Sequence, residues 1–350
     1  MSGAESPARR RWDTPLRRSR ATDRRRPAAG PDATATASTE TRVRTAFVFQ
    51  GGGSIAATQV GMLRALTEAG IRPDLVVGCS AGAINAVGFA REPTLDGIER
   101  LETLWRSVKR RNVFPVSAWS LAHALVGHSG GVSSHRALRR LLEHELGETY
   151  LDRLELPAHV VATDVASGDP VVLSEGPTVR ALLATTSLPG VFPPVDVGGR
   201  LLYDGGIAAA TPVLQADALG ADISYVLPSL GQSAPGSVPR GAAPVALRAL
   251  SQLLGHASVN AVAGAHHEVR MLPAPALETA NLFDFRDTPA LIEEGERLVR
   301  AWLDDRQTAA GGESAPPVRS HDEAETGRRR IAGRGIPGGL RPWAARTTAR

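Results

Sequence analysis

Three short apolar runs in this chain each end in a glycine-marked turn, and that repetition restricts the fold more than any other feature. Thr45-Ala46-Phe47-Val48-Phe49 runs into Gln50-Gly51-Gly52-Gly53. Asp74-Leu75-Val76-Val77 runs into Gly78-Cys79-Ser80-Ala81-Gly82, and Leu201-Leu202-Tyr203 into Asp204-Gly205-Gly206. Short apolar runs bounded by such turns read as buried strands. Between them apolar residues recur at helix spacing: Ala57 to Ala69 with Gly70 as its stop, Ala83 to Arg91, most of 95–147, Thr178 to Thr186, 244–265 and 288–305. Further strands are expected at 159–163, 170–173, 223–227 and 268–272. Strands alternating with helices predict an α/β fold, a mostly parallel sheet with helices on both faces. Such sheets place ligands beyond the carboxyl ends of their strands, where the three glycine turns are expected to lie.

Charge divides the chain into three. Residues 1–44 carry 11 arginines against 5 acids, and 306–350 carry 9 against 4. Residues 45–305 carry 27 acids against 20 basic residues, so the net charge of +4 comes from the ends. Those ends are rich in Ala, Pro, Gly, Ser and Thr and lack aliphatic periodicity. They bury too little apolar surface to offset chain entropy and are expected to be disordered tails around one domain at 45–305. The acidic body argues against specific nucleic-acid binding, while the arginines could draw the ends to an anionic membrane surface. Cys79 is the single cysteine, which excludes an intrachain disulfide and a cysteine-based metal site; no metal or other cofactor is expected. No run of 18 apolar residues exists, and no apolar stretch follows the N-terminal arginines, so neither a membrane span nor an export signal is expected. The expected location is the cytoplasm, with peripheral contact at the membrane.

Gly78-x-Ser80-x-Gly82 has the pattern of a nucleophile elbow, in which a sharp strand-to-helix turn projects a serine hydroxyl while flanking glycines remove colliding side chains. The helix that follows directs its positive end at Ser80. The glycines 51–53 offer backbone N–H groups that can approach an oxyanion closely. A dinucleotide phosphate loop is the competing reading, with Ala56 at its sixth position. Its ribose-binding acid should stand near the end of the second strand, however, and Asp74 stands at its beginning. An ordinary α/β-hydrolase places several strands before the elbow; here one precedes it. His256, His266 and His267 fall in or beside a helical pattern and read as surface or packing residues.

Taken together, Gly51-Gly52-Gly53, Gly78-x-Ser80-x-Gly82 and Asp204-Gly205-Gly206 resemble the patatin-like phospholipases. Supporting stretches are Gln59 to Leu66, Pro189-Gly190-Val191-Phe192-Pro193-Pro194-Val195, and Thr211-Pro212-Val213 before Leu219-Gly220-Ala221-Asp222. The resemblance spans roughly 45–300. It implies a three-layer α/β/α fold and hydrolysis of acyl esters of phospholipids and related lipids. It implies Ser80 as nucleophile, Asp204 as general base, and an oxyanion loop of Gly51, Gly52 and Gly53, with Gly78, Gly82, Gly205 and Gly206 in support. The family often carries a cation at the fifth position of the loop and asparagines after the Asp-Gly-Gly turn; here stand Ile55, and Ala208, Ala209 and Ala210.

An aspartate is a weak base for serine, because its reference pKa is about 3.9. It serves only in contact with the hydroxyl and in a dry site that raises its pKa, with Leu188, Val191, Phe192, Leu201 and Leu202 as expected walls. Activity is then expected to persist below the range where a histidine base protonates. Cys79 is expected to turn away and pack. The expected function is a serine-dependent lipid acyl hydrolase acting on a lipid or acyl-ester substrate. The alternatives are a catalytically weak lipid-binding or scaffold member of the same fold and, more remotely, a dinucleotide-binding oxidoreductase.

Overall fold

The structure is a computed structural model that describes residues 42–109, 133–229, 241–275, 282 and 284–312. The chain divides into two units, Met1–Arg306 and Gln307–Arg350. The expectations for 1–41, 313–350 and the middle of the 95–147 stretch lie outside the described residues.

The first unit holds a sheet of eight strands: β1 Thr45–Phe49, β2 Leu75–Cys79, β3 Ala158–Asp164, β4 Pro170–Leu173, β5 Val195–Val197, β6 Arg200–Asp204, β7 Ile223–Leu227 and β8 Glu268–Met271. Their order is β5-β6-β3-β2-β1-β7-β8, with β4 also paired to β3. The central pairs β3–β2, β2–β1, β1–β7 and β7–β8 are parallel. The pairs β3–β4, β3–β6 and β5–β6 are antiparallel. The expected mostly parallel sheet is present. The assumption that all three glycine turns close parallel strands needs correction, since β6 runs against its neighbours.

The helices are α1 Thr58–Glu68, α2 Ser80–Arg91, α3 Leu95–Ser107, α4 Arg136–Leu146, α5 Thr178–Thr185, α6 Gly206–Ala209, α7 Val213–Ala218, α8 Ala242–Ala263 and α9 Thr288–Gly312. A 3-10 turn at Gly53–Ala57 precedes α1. Helix α9 continues to Gly312, so the boundary expected at 305 falls inside a helix.

Strand alternation explains the layering, because successive side chains point to opposite faces. Phe47, Phe49, Val76, Val160 and Ala162 pack in one core with Leu63, Leu66, Val87, Ile98, Leu142 and Leu182 from α1 to α5. Ala46, Val48, Val77, Cys79 and Val161 pack in a second core with Val213 and Ala216 of α7. The central strands are apolar on both faces, as a sheet covered on both sides requires. The result is the expected three-layer α/β/α arrangement.

Candidate active site

Strand β3 acts as a ruler for the site. Residues Val160 to Thr163 pair with β4 along one edge, while Ala158 to Val161 pair with β2 along the other. Because β4 occupies its own edge as far as Thr163, β6, which pairs with Ala162 to Asp164, must share the edge of β2. Cys79 stands opposite Val161, and Asp204 stands opposite Ala162, the next residue. Strands β2 and β6 therefore run toward each other along one edge, and their carboxyl ends meet. This head-on junction brings Ser80 Oγ to 2.6 Å from Asp204 Oδ2 across 124 residues of sequence.

Ser80 begins α2 with φ of 51°, and it is the only non-glycine residue among those described with positive φ. That conformation is strained, of a kind that costs about 1–3 kcal/mol and persists only where the surroundings enforce it. Close packing enforces it here. A Cβ at Gly82 would lie 2.5 Å from the Gln50 carbonyl, and one at Gly205 1.9 Å from that of Val161, so neither position admits a side chain. Gly78, in the last turn of pairing in β2, stands opposite Phe49 and Val160. Gly206 donates its N–H to Asp204 Oδ1 at 2.8 Å.

Asp204 is buried, and burial pushes its carboxyl up to about 6, against the lowering effect of its bonds from Ser80 and Gly206. This is the raised value that the sequence argument requires of a carboxylate base. A carboxyl near 6 titrates in the same range as an imidazole, so pH dependence alone does not distinguish Asp204 from a histidine base. Strand alternation places Leu202 inward with Asp204, and Phe192 is buried with it; Leu201 points outward at 49% exposure and is no wall of the site.

The glycine loop lies against the elbow, since a Cβ at Gly51 would stand 3.2 Å from Ser80 Cβ. The Gly51 N–H, however, donates to the Ala210 carbonyl at 3.0 Å. Gly51 therefore anchors the loop, and its expected role as an oxyanion donor is corrected. The N–H groups of Gly52 and Gly53 have no partner among the described residues. The same Ala210 carbonyl accepts the Cys79 thiol proton at 3.1 Å, and Ala208 donates its N–H to Thr163 Oγ1 at 3.2 Å. Ala208 and Ala210 thus serve through their backbone. Cys79 is wholly buried in the α7-side core, and burial raises its thiol pKa far above the ordinary range, which leaves no thiolate to attack.

Several functional contributors escaped the sequence reading. The Gln59 side-chain amide on α1 holds the loop entrance: its Nε2 donates to the Gln50 and Leu227 carbonyls at 2.8 and 2.9 Å. Asn85 on α2 holds the exit, donating to the Ala56 carbonyl and to Gln59 Oε1, both at 2.8 Å, and Trp105 Nε1 donates to Asn85 Oδ1 at 2.7 Å. The visible signal was an amide side chain standing within an apolar helical run, at Gln59 and again at Asn85. His135 stacks on Phe192 and reaches the site only through Ser187 Oγ, 2.9 Å from its Nε2. His256 and His266 are exposed and His267 bonds Ser224, so none of these three serves Ser80. Among the described residues no group of three or more His, Cys, Asp or Glu could hold a metal ion.

Residues 47–217 match the family described as patatin-like phospholipase. Residues 47–217 are a patatin-like phospholipase domain. Lysophospholipase nte1 of Aspergillus terreus is 27% identical over 189 residues, covering 52% of this chain and 12% of that protein. An uncharacterized NTE family protein of Mycobacterium tuberculosis is 28% identical over 192 residues, covering 55% of this chain and 50% of its own. The chain thus spans half or less of the length of these curated relatives. Among solved structures, VipD from Legionella pneumophila is similar with a TM-score of 0.38 and 13% identity, covering 75% of this chain and 67% of that one. Within the patatin-like domain the elbow, the glycine loop and the Asp-Gly-Gly turn converge on one point, and no helix among the described residues is long and apolar enough to cross a membrane.

Proposed function

We propose that this patatin-like chain is a serine-dependent lipid acyl hydrolase that cleaves carboxylic esters of the phospholipid and lysophospholipid type through an acyl-Ser80 intermediate. The observation that carries the reading is the 2.6 Å contact between Ser80 Oγ and a buried Asp204 carboxyl with a pKa raised to about 6. A base poised near the working pH is both ionised and willing to take a proton.

In the first half-reaction Ser80 Oγ attacks the ester carbonyl carbon while its proton passes to Asp204 Oδ2. The carbonyl oxygen becomes an oxyanion and meets the N–H groups of Gly52 and Gly53, with the amino end of α2 adding its favourable potential. Collapse breaks the bond to the leaving alcohol, which takes the proton from Asp204. In the second half-reaction water attacks the acyl group, yields its proton to Asp204, and the carboxylic acid departs as Ser80 regains its proton. The relative named lysophospholipase supports the lipid substrate class. The arginine-rich ends would bring a cytoplasmic enzyme to anionic membrane surfaces, where such esters reside.

A fluorophosphonate probe and a panel of short esters, lysophospholipids and phospholipids test this. Labelling confined to Ser80, with hydrolysis lost in Ser80→Ala, is the expected result. A folded protein that neither labels nor turns over any ester sinks the reading and leaves a lipid-binding member of the fold.

A further inference from the structure

We propose that Thr185 is the positioning residue that locks nucleophile and base into register at the junction of β2 and β6. It is the last residue of α5 and wholly buried. Its Oγ1 accepts the Ser80 N–H at 2.8 Å and donates its own proton to the Val161 carbonyl of β3. Its backbone carbonyl accepts the Gly205 N–H at 3.2 Å. Two residues on, the Ser187 carbonyl accepts the Asp204 N–H at 3.0 Å. A single turn of backbone therefore holds the amides of Ser80, Asp204 and Gly205 and ties them to the strand that sets their spacing.

The chemistry requires a hydroxyl. Only such a group accepts one hydrogen bond and donates another from the same atom in so small a space. The Ser80 N–H opens a helix and has no intrahelical partner, so it depends on this acceptor. It also belongs to the one strained non-glycine residue described, and loss of that bond leaves packing alone to resist relaxation toward negative φ. Relaxation swings Oγ away from Asp204 Oδ2. Thr185 touches no reacting atom; it acts through the two residues that do.

The consequence for turnover rests on the hydrolase reading, whereas the bond itself does not. The test therefore reads both, in full-length wild type, Thr185→Val and Thr185→Ser. Amide hydrogen exchange at Ser80 is expected to be slow in wild type and Thr185→Ser, and at least about tenfold faster in Thr185→Val. Turnover of a soluble ester in Thr185→Val is expected to fall about 100-fold with KM nearly unchanged, the scale of an ångström of misplacement, and to return in Thr185→Ser. A Ser80 amide that exchanges in wild type as freely as an exposed one overturns the proposal, and that measurement stands even if Thr185→Val does not fold. Equal kcat in Thr185→Val and Thr185→Ser overturns it as well. Wild type that neither labels nor turns over defeats the hydrolase reading, and Ser80 exchange still decides the role of Thr185.

Discussion

Two serine and carboxylate clusters among the described residues are built in opposite ways. At the first, Ser80 meets Asp204 directly at 2.6 Å. At the second, Ser224 Oγ lies 2.6 Å from His267 Nε2, whose Nδ1 faces Asp217 Oδ1 at 3.4 Å. By residue type the second resembles a serine protease triad more closely. Yet Ser224 sits within β7, paired on both sides and wholly buried, where no substrate reaches it. The backbone and ring of His266 hold the Asp217 carboxyl below its ordinary range, whereas burial raises that of Asp204. The first cluster has a strained backbone, loop amides without a partner among the described residues, and a carboxyl lifted toward neutrality. The second has its serine fixed inside a regular, fully paired strand, with His267 Nδ1 lacking a hydrogen-bond partner among the described residues. The difference teaches that the site is defined by its surroundings rather than by the residues that meet.

The largest test of this contrast is the pair Ser80→Ala and Ser224→Ala. The first should reduce ester turnover by about 10⁴-fold or more, as loss of a nucleophile does elsewhere; the second should leave kcat/KM within about twofold. Comparable losses in both would erase the distinction. Asp204→Asn comes next, with a fall of about 10²- to 10⁴-fold, the usual contribution of a general base. As the proposed base, Asp204 would act in its ionised form, so wild-type kcat/KM should rise with pH through about 6 and level off above it. Because that limb overlaps the imidazole range, its loss in Asp204→Asn, with residual activity independent of pH, is the result that assigns it. Gly52→Ala would place a Cβ 2.3 Å from Ser229 Cβ and push the loop aside. The expected cost is about 10²- to 10³-fold in kcat, the scale of one lost oxyanion donor.

The smallest effects concern stability. Asp204 has its folded pKa raised above the ordinary value of 3.8, so the native state resists its ionisation. No penalty exists below that ordinary value; it grows as pH rises and is complete above about 6. Asp204→Asn should therefore be more stable than wild type at pH 8, by up to about 3 kcal/mol for a shift of about two units, and the gain should shrink as pH falls toward 4. Thermal melts across that range measure it; a gain that persists undiminished at pH 4 would mean the carboxylate is not the cause. Ser224→Ala should cost about 1 kcal/mol through its lost buried hydrogen bond, read as a lowered midpoint in urea.

Much of this was legible from spacing and residue type. Gly78-x-Ser80-x-Gly82 announced the elbow, and the continuous apolar runs at 45–49 and 75–77 announced central strands. Thr185 was invisible, because a threonine near a helix end carries no signal of an acceptor role for an amide 105 residues away. The direction of β6 was invisible too, since an alternating run reads alike in either direction. Gly51, set among its neighbours, gave no sign that its N–H is taken by Ala210 while those of Gly52 and Gly53 have no partner among the described residues.

Local pattern alone determined which segments form strands and helices, which faces they bury, and which turns could carry a serine and a carboxylate. What only the tertiary structure decided is that two strands meet end to end along one edge of β3, so that adjacent pairing positions hold Cys79 and Asp204. The physical reason is that alternation is a property of one strand, while partner, direction and register arise from hydrogen bonds between strands far apart in the chain. The raised Asp204 carboxyl follows from the same cause, because burial exists only once those strands have come together.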